Sequence, residues 1–393
     1  MQDSQSRSAG PAARARRATL AGVRRAILLL VAVFAVGAAS AQGATPLVSV
    51  FFYPWYGTPA HDGAYVHWNQ NGRRPPVDIA SDFFPQRGPY SSSEPRVLQA
   101  QLQEIAAAGI DELAVSWWGR DSAEDRRLPT VVAAARRQRL AVAVHLEPYL
   151  GRTAESTEAD IRYLQMLGAQ TFYVYASTLV PDADWAAVND RLEGVRVLAG
   201  TPSVGRALAG GFDGVYTYDV LLYGASAFAR ICQAARRKGL LCAPSVGPGY
   251  SAARATGDIR AKPRRDGATY DAMWRAALAA HADLVTITSY NEWHEGTQIE
   301  PALDRGAGRY RSYAGAYGRR GVAARRAYLD RTAYWARELR KGRREPAVAA
   351  ATRQRGSMLL GPLAGPLDRF LGGAALLAGA LGWPTDGARG TRV

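Results

Sequence analysis

Short apolar runs rich in β-branched and aromatic residues recur along the middle of the chain, separated by longer amphipathic or alanine-rich segments. The runs fall at 48–55, 113–118, 140–146, 171–176, 195–199, 214–218, 240–246 and 284–289. Runs of this length with little polar alternation predict strands buried on both faces. Between most of them the apolar spacing predicts helices, at 95–108, 123–138, 155–167, 183–192, 225–238 and 270–280. Such alternation implies parallel pairing with helices outside. Eight units over about 300 residues predict an α/β fold, a closed (β/α)8 TIM barrel forming a single catalytic domain. The connection after 195–199 is thin. The rival, an open doubly wound sheet, lacks its signal, because the first run leads into Tyr53-Pro54-Trp55-Tyr56-Gly57 instead of a glycine-rich phosphate turn.

Both ends of the chain depart from this rhythm. Arg14, Arg16, Arg17, Arg24 and Arg25 precede an apolar run at 26–36, and Ala39-Ser40-Ala41 supplies small residues for cleavage. That is the order of a secretory signal peptide over residues 1–41. Its apolar core is shorter than the roughly 20 residues of a spanning helix. The expectation is an exported protein, secreted or associated with the cell envelope. From 344 to 393 Ala, Gly, Arg and Pro dominate, and the apolar patch at 370–383 contains four glycines. Glycine at that density disfavours a spanning helix and predicts a disordered tail, with weak adhesion to a membrane or cell surface at most. The catalytic domain is then 42–343.

Charge and cysteines narrow the class. The formal net charge is +15, of which 1–41 hold +5 and 341–393 another +5, leaving +5 on the 299 residues between. A domain so close to balance has no basic stripe for nucleic acid. The two cysteines, Cys232 and Cys242, are too few for a disulfide framework, and the expectation is a free pair.

Polar and aromatic residues collect where the runs end. The first leads into Tyr53, Trp55 and Tyr56, the second into Trp117 and Trp118, the third into His145, Glu147 and Tyr149. The sixth ends at Tyr216, Tyr218 and Asp219, the seventh at Pro248-Gly249-Tyr250, and the eighth at Tyr290, Asn291, Glu292, His294 and Glu295. Barrel active sites occupy the rim at the C-terminal strand ends. Carboxylates ringed by Trp and Tyr, with no cofactor motif, suit a carbohydrate, whose C–H faces stack on rings while its hydroxyls bond carboxylates and amides. Glycoside hydrolysis generally takes one carboxylic acid and one carboxylate. Glu292 and Glu295 are the pair that position selects. Their spacing shares one face on a helix but opposite faces on a strand, so their geometry stays open.

Tyr53-Pro54-Trp55-Tyr56-Gly57, His67-Trp68, Gly88-Pro89-Tyr90-Ser91-Ser92, His145-Leu146-Glu147-Pro148-Tyr149, Pro248-Gly249-Tyr250 and above all the run Asn291-Glu292-Trp293-His294-Glu295-Gly296-Thr297-Gln298-Ile299-Glu300-Pro301 resemble glycoside hydrolase family 99, the endo-α-mannosidases and endo-α-mannanases. The resemblance spans about 47–343 and implies a (β/α)8 barrel that cleaves internal α-mannosidic linkages of an α-mannan with retention, without a metal or other cofactor. It implies that Glu292 acts as base on the sugar's own 2-hydroxyl, giving a 1,2-anhydro sugar. Glu295 then acts as acid on departure and as base toward water. Candidate substrate contacts are Tyr53, Tyr56, His67, Trp68, His145, Glu147, Tyr218, Arg254, Tyr290 and Asn291, with His294 and Glu300 as support. After Tyr250 the sequence departs from the family pattern, with Ser251-Ala252-Ala253 where an acidic residue is expected. Three alternatives compete. A metal site from His67, His145 and His294 lacks a His-Glu-x-x-His spacing. A carbohydrate-binding barrel without turnover would not need both glutamates, and a glycosyltransferase-like relative would need an activated sugar donor.

Overall fold

The structure, a computed structural model, describes residues 48–305 and 309–342. The 1–41 leader and the 344–393 tail lie outside the described residues. Eight strands, β1 (Val48–Phe52), β2 (Glu112–Trp117), β3 (Ala141–Leu146), β4 (Thr171–Val174), β5 (Arg196–Gly200), β6 (Gly214–Thr217), β7 (Leu241–Val246) and β8 (Val285–Ile287), occupy the eight apolar runs. They form a closed barrel in the order β1-β8-β7-β6-β5-β4-β3-β2. Closure is made at β1, whose Val48 pairs with Val285 and whose Ser49 pairs with Glu112, both in parallel.

The outer layer consists of α1 (Pro95–Ala107), α2 (Ala123–Arg137), α3 (Ala154–Met166), α4 (Asp182–Asn189), α5 (Val204–Ala209), α6 (Ala225–Arg237), α7 (Ala268–Ala279) and α8 (Ala327–Gly342). Their starts carry local signals. Pro95 opens α1. The Ser122 hydroxyl caps α2 by accepting from the amide of Asp125, and Thr153 and Ser156 form a reciprocal box at α3. The thin fifth unit is α5, six residues of which only Val204 and Ala207 are buried. Two inward residues are too few for helical periodicity to show. The last helix, α8, is additional to the helices expected from sequence, although its Tyr328, Leu329, Thr332, Ala336 and Leu339 are buried at helical spacing.

Inside the barrel Phe51 is the central plug. Its ring lies 4.6 Å from His145, 5.5 Å from Tyr173, 5.9 Å from Tyr216 and 5.1 Å from Tyr218. Polar side chains of this layer pair with one another, which offsets the cost of burying them. Tyr173 donates to Glu112 at 2.9 Å and Ser245 meets Thr286 at 2.5 Å. This layer closes the barrel beneath the rim and makes a firm floor for whatever binds above.

The cysteine expectation is corrected. Cys232 and Cys242 form a disulfide, with Cα atoms 5.1 Å apart. Cys232 belongs to the buried stripe of α6, with Phe228, Ile231 and Ala235, and burying Phe228 and Ile231 contributes about 1.5–3 kcal/mol each. That stripe docks on β7, whose second residue is Cys242, so the tight turn between helix and strand brings the sulfurs together.

Candidate active site

The segment after β8 folds into a loop that closes on itself. A cis peptide joins Thr288 to Ser289. The Ser289 amide donates to the Thr297 carbonyl at 3.0 Å, Ile299 returns to Ser289 at 2.9 Å, and Glu300 returns to Tyr290 at 2.8 Å. Between these clasps Glu292, Trp293, His294 and Glu295 form a turn that ends at Gly296 with φ 63°. A Cβ on Gly296 would stand 2.6 Å from the carbonyl oxygen of Ser251, so close approach as well as left-handed backbone requires glycine. Neither a helix nor a strand therefore sets the relation of the two glutamates.

Glu300 anchors this loop from behind. It is fully buried and accepts from Arg87 at 3.1 Å, Tyr90 at 2.8 Å, Gln101 at 2.9 Å and Trp293 Nε1 at 2.8 Å. Four donors on one carboxylate leave it no bond to give to a ligand.

Glu292 and Glu295 differ in surroundings. Glu292 is buried, and its Oε1 takes the His294 amide at 3.0 Å and lies 3.3 Å from His294 Nδ1. The other imidazole nitrogen, Nε2, donates to the carbonyl of His67 at 2.6 Å. With Nε2–H so committed, a proton must sit between Nδ1 and Oε1 for that contact to attract. Burial pushes Glu292 above the usual carboxylate range, while the bonds and charge of His294 hold it down. Glu295 is partly exposed. Burial, then the charges of Glu292, Asp219 and Glu147, push it well above the usual range, against one bond from Tyr218. Two carboxyl groups driven apart in this way divide into a proton donor and a proton acceptor.

Around them the rim residues form a polar and aromatic wall. The Tyr53 and Tyr218 hydroxyls lie 2.5 Å apart, and Tyr218 reaches Glu295 Oε2 at 3.4 Å. His145 Nδ1 lies 3.0 Å from Glu147, its Nε2 lies 3.0 Å from the Tyr216 hydroxyl, and its ring stacks under Tyr218 at 5.2 Å. His67 stacks on Trp55 at 4.7 Å. Burial, then His294 and Arg127, hold its imidazole well below its usual value, so it is neutral.

The structure thus gathers Tyr53, His67, His145, Glu147, Tyr218, Glu292 and Glu295, whereas five expected contacts serve the frame. Trp68 is fully buried under Tyr56 at 4.1 Å and donates to the Tyr90 carbonyl. Tyr56 itself donates to the Asn291 carbonyl at 3.0 Å and accepts from the Trp293 amide at 3.1 Å. The Asn291 side chain pairs with the Tyr53 backbone at 2.8 and 3.0 Å, as a strand neighbour would. Tyr290 donates to Glu104 on α1 at 2.7 Å, and Arg254 pairs with Asp78 under the ring of Tyr310. Tyr56, Trp68, Tyr290 and Asn291 thus spend their polar groups on the frame, and Arg254 is paired with Asp78. Conversely, Asp219 and Tyr175 belong to the site. Both are partly exposed, and their charge or ring reaches Glu295 or Tyr218. Each ends a strand run, which is the signal that singled out the others.

Comparison with known proteins agrees with this geometry. The family described as Glycosyl hydrolase family 99 matches residues 45–341. The family 99 endo-α-mannosidase of Bacteroides thetaiotaomicron superposes with TM-score 0.68 at 29% identity, over 75% of this chain and 98% of that one. A Danio rerio protein named glycoprotein endo-α-1,2-mannosidase-like is 34% identical over 319 residues, 66% of this chain and 71% of its own. The glycoprotein endo-α-1,2-mannosidase of Mus musculus is 32% identical over 313 residues, 65% of this chain and 68% of its own. With the family match running the length of a closed barrel and through the carboxylate loop at its rim, this chain belongs to glycosyl hydrolase family 99 and is a glycoside hydrolase.

Proposed function

We propose that the protein is a retaining, endo-acting α-mannosidase that cuts internal linkages of mannan or a related glycan through a 1,2-anhydro sugar. The observation that carries this reading is the contrast in surroundings of two neighbouring carboxyl groups, Glu292 against His294 and Glu295 beside Tyr218 and other carboxylates. Glu292, ionised beside His294, takes the proton of the sugar's 2-hydroxyl as that oxygen attacks C1. The bond from C1 to the leaving oxygen breaks, and Glu295 gives its proton to that oxygen. Glu295, now a carboxylate, takes a proton from water as water attacks C1 from the vacated side. The bond from O2 to C1 opens, and O2 recovers a proton from Glu292. Two inversions at C1 leave its configuration unchanged. The wall of Tyr53, Tyr218 and Tyr175 supplies ring faces and hydroxyls for the sugar in the first step.

The names of the relatives support an α-1,2 linkage as the first to test. The disulfide supports export through the 1–41 leader, since such bonds persist in oxidising compartments. The decisive experiment compares a mannoside with its 2-deoxy analogue, scoring release of reducing ends. The expected result is binding of both and turnover of the first alone. Efficient hydrolysis of the 2-deoxy substrate removes the 2-hydroxyl from the mechanism.

A further inference from the structure

A concavity of about 350 Å³ lies beside the turn that carries Glu295. One wall is a two-stranded ribbon in which Tyr250–Ala252 pairs antiparallel with Asp258–Lys262, and Gly296 and Ser312 also line the hollow. Its charged lining is Lys262, Arg264, Arg265 and Arg311, and among the described residues no carboxylate lines it. Two of these cations are held by neutral partners. Lys262 Nζ donates to the Val220 carbonyl at 2.6 Å. Arg264 donates to the carbonyls of Gly296 at 2.9 Å and Gln298 at 2.8 Å, among the rings of Phe83, Tyr313 and Tyr328 at 4.5–4.7 Å. Carbonyls and rings fix these side chains, and the charge of Asp219 also acts on Lys262. Arg265 is exposed. Arg311 stands 3.9 Å from Asp82, which the Ser251 hydroxyl also engages. A concave wall of one sign focuses its field on the space it encloses.

The hollow adjoins the acid. The Ser251 amide donates to the Glu295 carbonyl at 2.7 Å, and no side chain separates Gly296 from Ser251. Since Glu295 protonates the departing oxygen, glycan on its side of the cleft belongs to the leaving group. The volume equals the share of about a dozen waters, room for one substituted sugar unit. We propose that this hollow is a subsite for an anionic substituent, a phosphate or a carboxylate, carried by the leaving-group portion of the glycan. Lys262 and Arg264 form its fixed base, and Arg265 and Arg311 close on the anion with charge-assisted bonds. This rests on the reading of the protein as an endo-α-mannosidase.

The test uses the full chain with Glu295→Gln, so that ligands bind without being cleaved. Calorimetry compares a neutral α-mannotetraose, the same glycan with a phosphate monoester on its reducing-end unit, and one ending in a uronic acid. At low salt one anionic ligand binds about tenfold tighter than the neutral one, and the gain shrinks at high salt. Adding Arg265→Ala and Arg311→Ala removes the gain, with a melting point matching the parent's to show that the fold survives. The two anionic arms tell phosphate from carboxylate. Equal affinity for all three ligands, or a gain that survives the double substitution, overturns the proposal. Loss of neutral binding in the double variant also overturns it, by assigning the arginines to the sugar path. Failure of the unsubstituted enzyme to cleave any α-mannoside would instead strike the parent reading, whereas cleavage without an anion preference strikes only the subsite.

Discussion

Replacing His294 by glutamine separates the electrostatic part of the site from its shape. The imidazole is fixed at one end by the His67 carbonyl, so Nδ1 faces Glu292 Oε1 at 3.3 Å. At that distance opposite unit charges attract by about 5 kcal/mol in an effective dielectric of about 20. Desolvating both partners offsets part of this. An adjacent cation usually leaves a net depression of a carboxyl by about 1–3 pH units. Glutamine keeps a hydrogen-bond donor of similar reach and removes the charge that acts on Glu292. Glu292, already pushed up by burial, then rises further. A base works only when ionised, so the acidic limb of kcat/KM, which reports the free enzyme, moves to higher pH by about 1–2 units. Rates measured on one α-mannoside from about pH 4 to pH 9 read this directly. On the acidic side the variant loses about tenfold for every pH unit that the limb moves, while the plateau above it falls far less. A uniform loss at every pH, with the limb in place, would refute the reasoning and leave His294 a purely steric role.

Two further outcomes follow from the same geometry. Glu295→Gln should lower kcat/KM for glycan cleavage by about 10²–10⁴-fold. Because Glu295 is held well above the usual range and in the proposed mechanism works protonated, its substitution should also erase the limb where activity falls with rising pH; a surviving limb would point to another acid. Joint Cys232→Ala and Cys242→Ala should cost about 2.5–3 kcal/mol of stability, from the closure entropy of their ten-residue separation. An unchanged urea midpoint would mean that the crosslink restrains the unfolded chain little.

The barrel was legible because strand and helix are local. A both-face-buried run such as that of β4, or the capped start of α3, declares itself in a few consecutive residues. The fifth unit shows the limit, since α5 buries only two side chains and so leaves no period to find. The rim was legible for a related reason: a strand has one C-terminal end, and whatever follows it arrives at the shared rim. Glu292 and Glu295 could be selected on that ground. Asp219 and Tyr175 carried the same signal in weaker surroundings.

By itself, then, the sequence determined the alternation of elements, the closed parallel barrel it implies, and the carboxylate pair at the end of β8. Tertiary structure decided everything that depends on which distant groups meet. It engaged Tyr290 and Asn291 in the frame, because their partners Glu104 and the Tyr53 backbone lie far away along the chain. It joined Cys232 to Cys242 by docking α6 on β7. It also set His294 between the His67 carbonyl and Glu292, and left Glu295 among three other carboxylates. Protonation follows from burial and neighbouring charge, and neither is a property of consecutive residues. The two glutamates were therefore recognisable in sequence as a pair, with base and acid roles implied by the family resemblance, while the surroundings that shift each carboxyl came only with the fold.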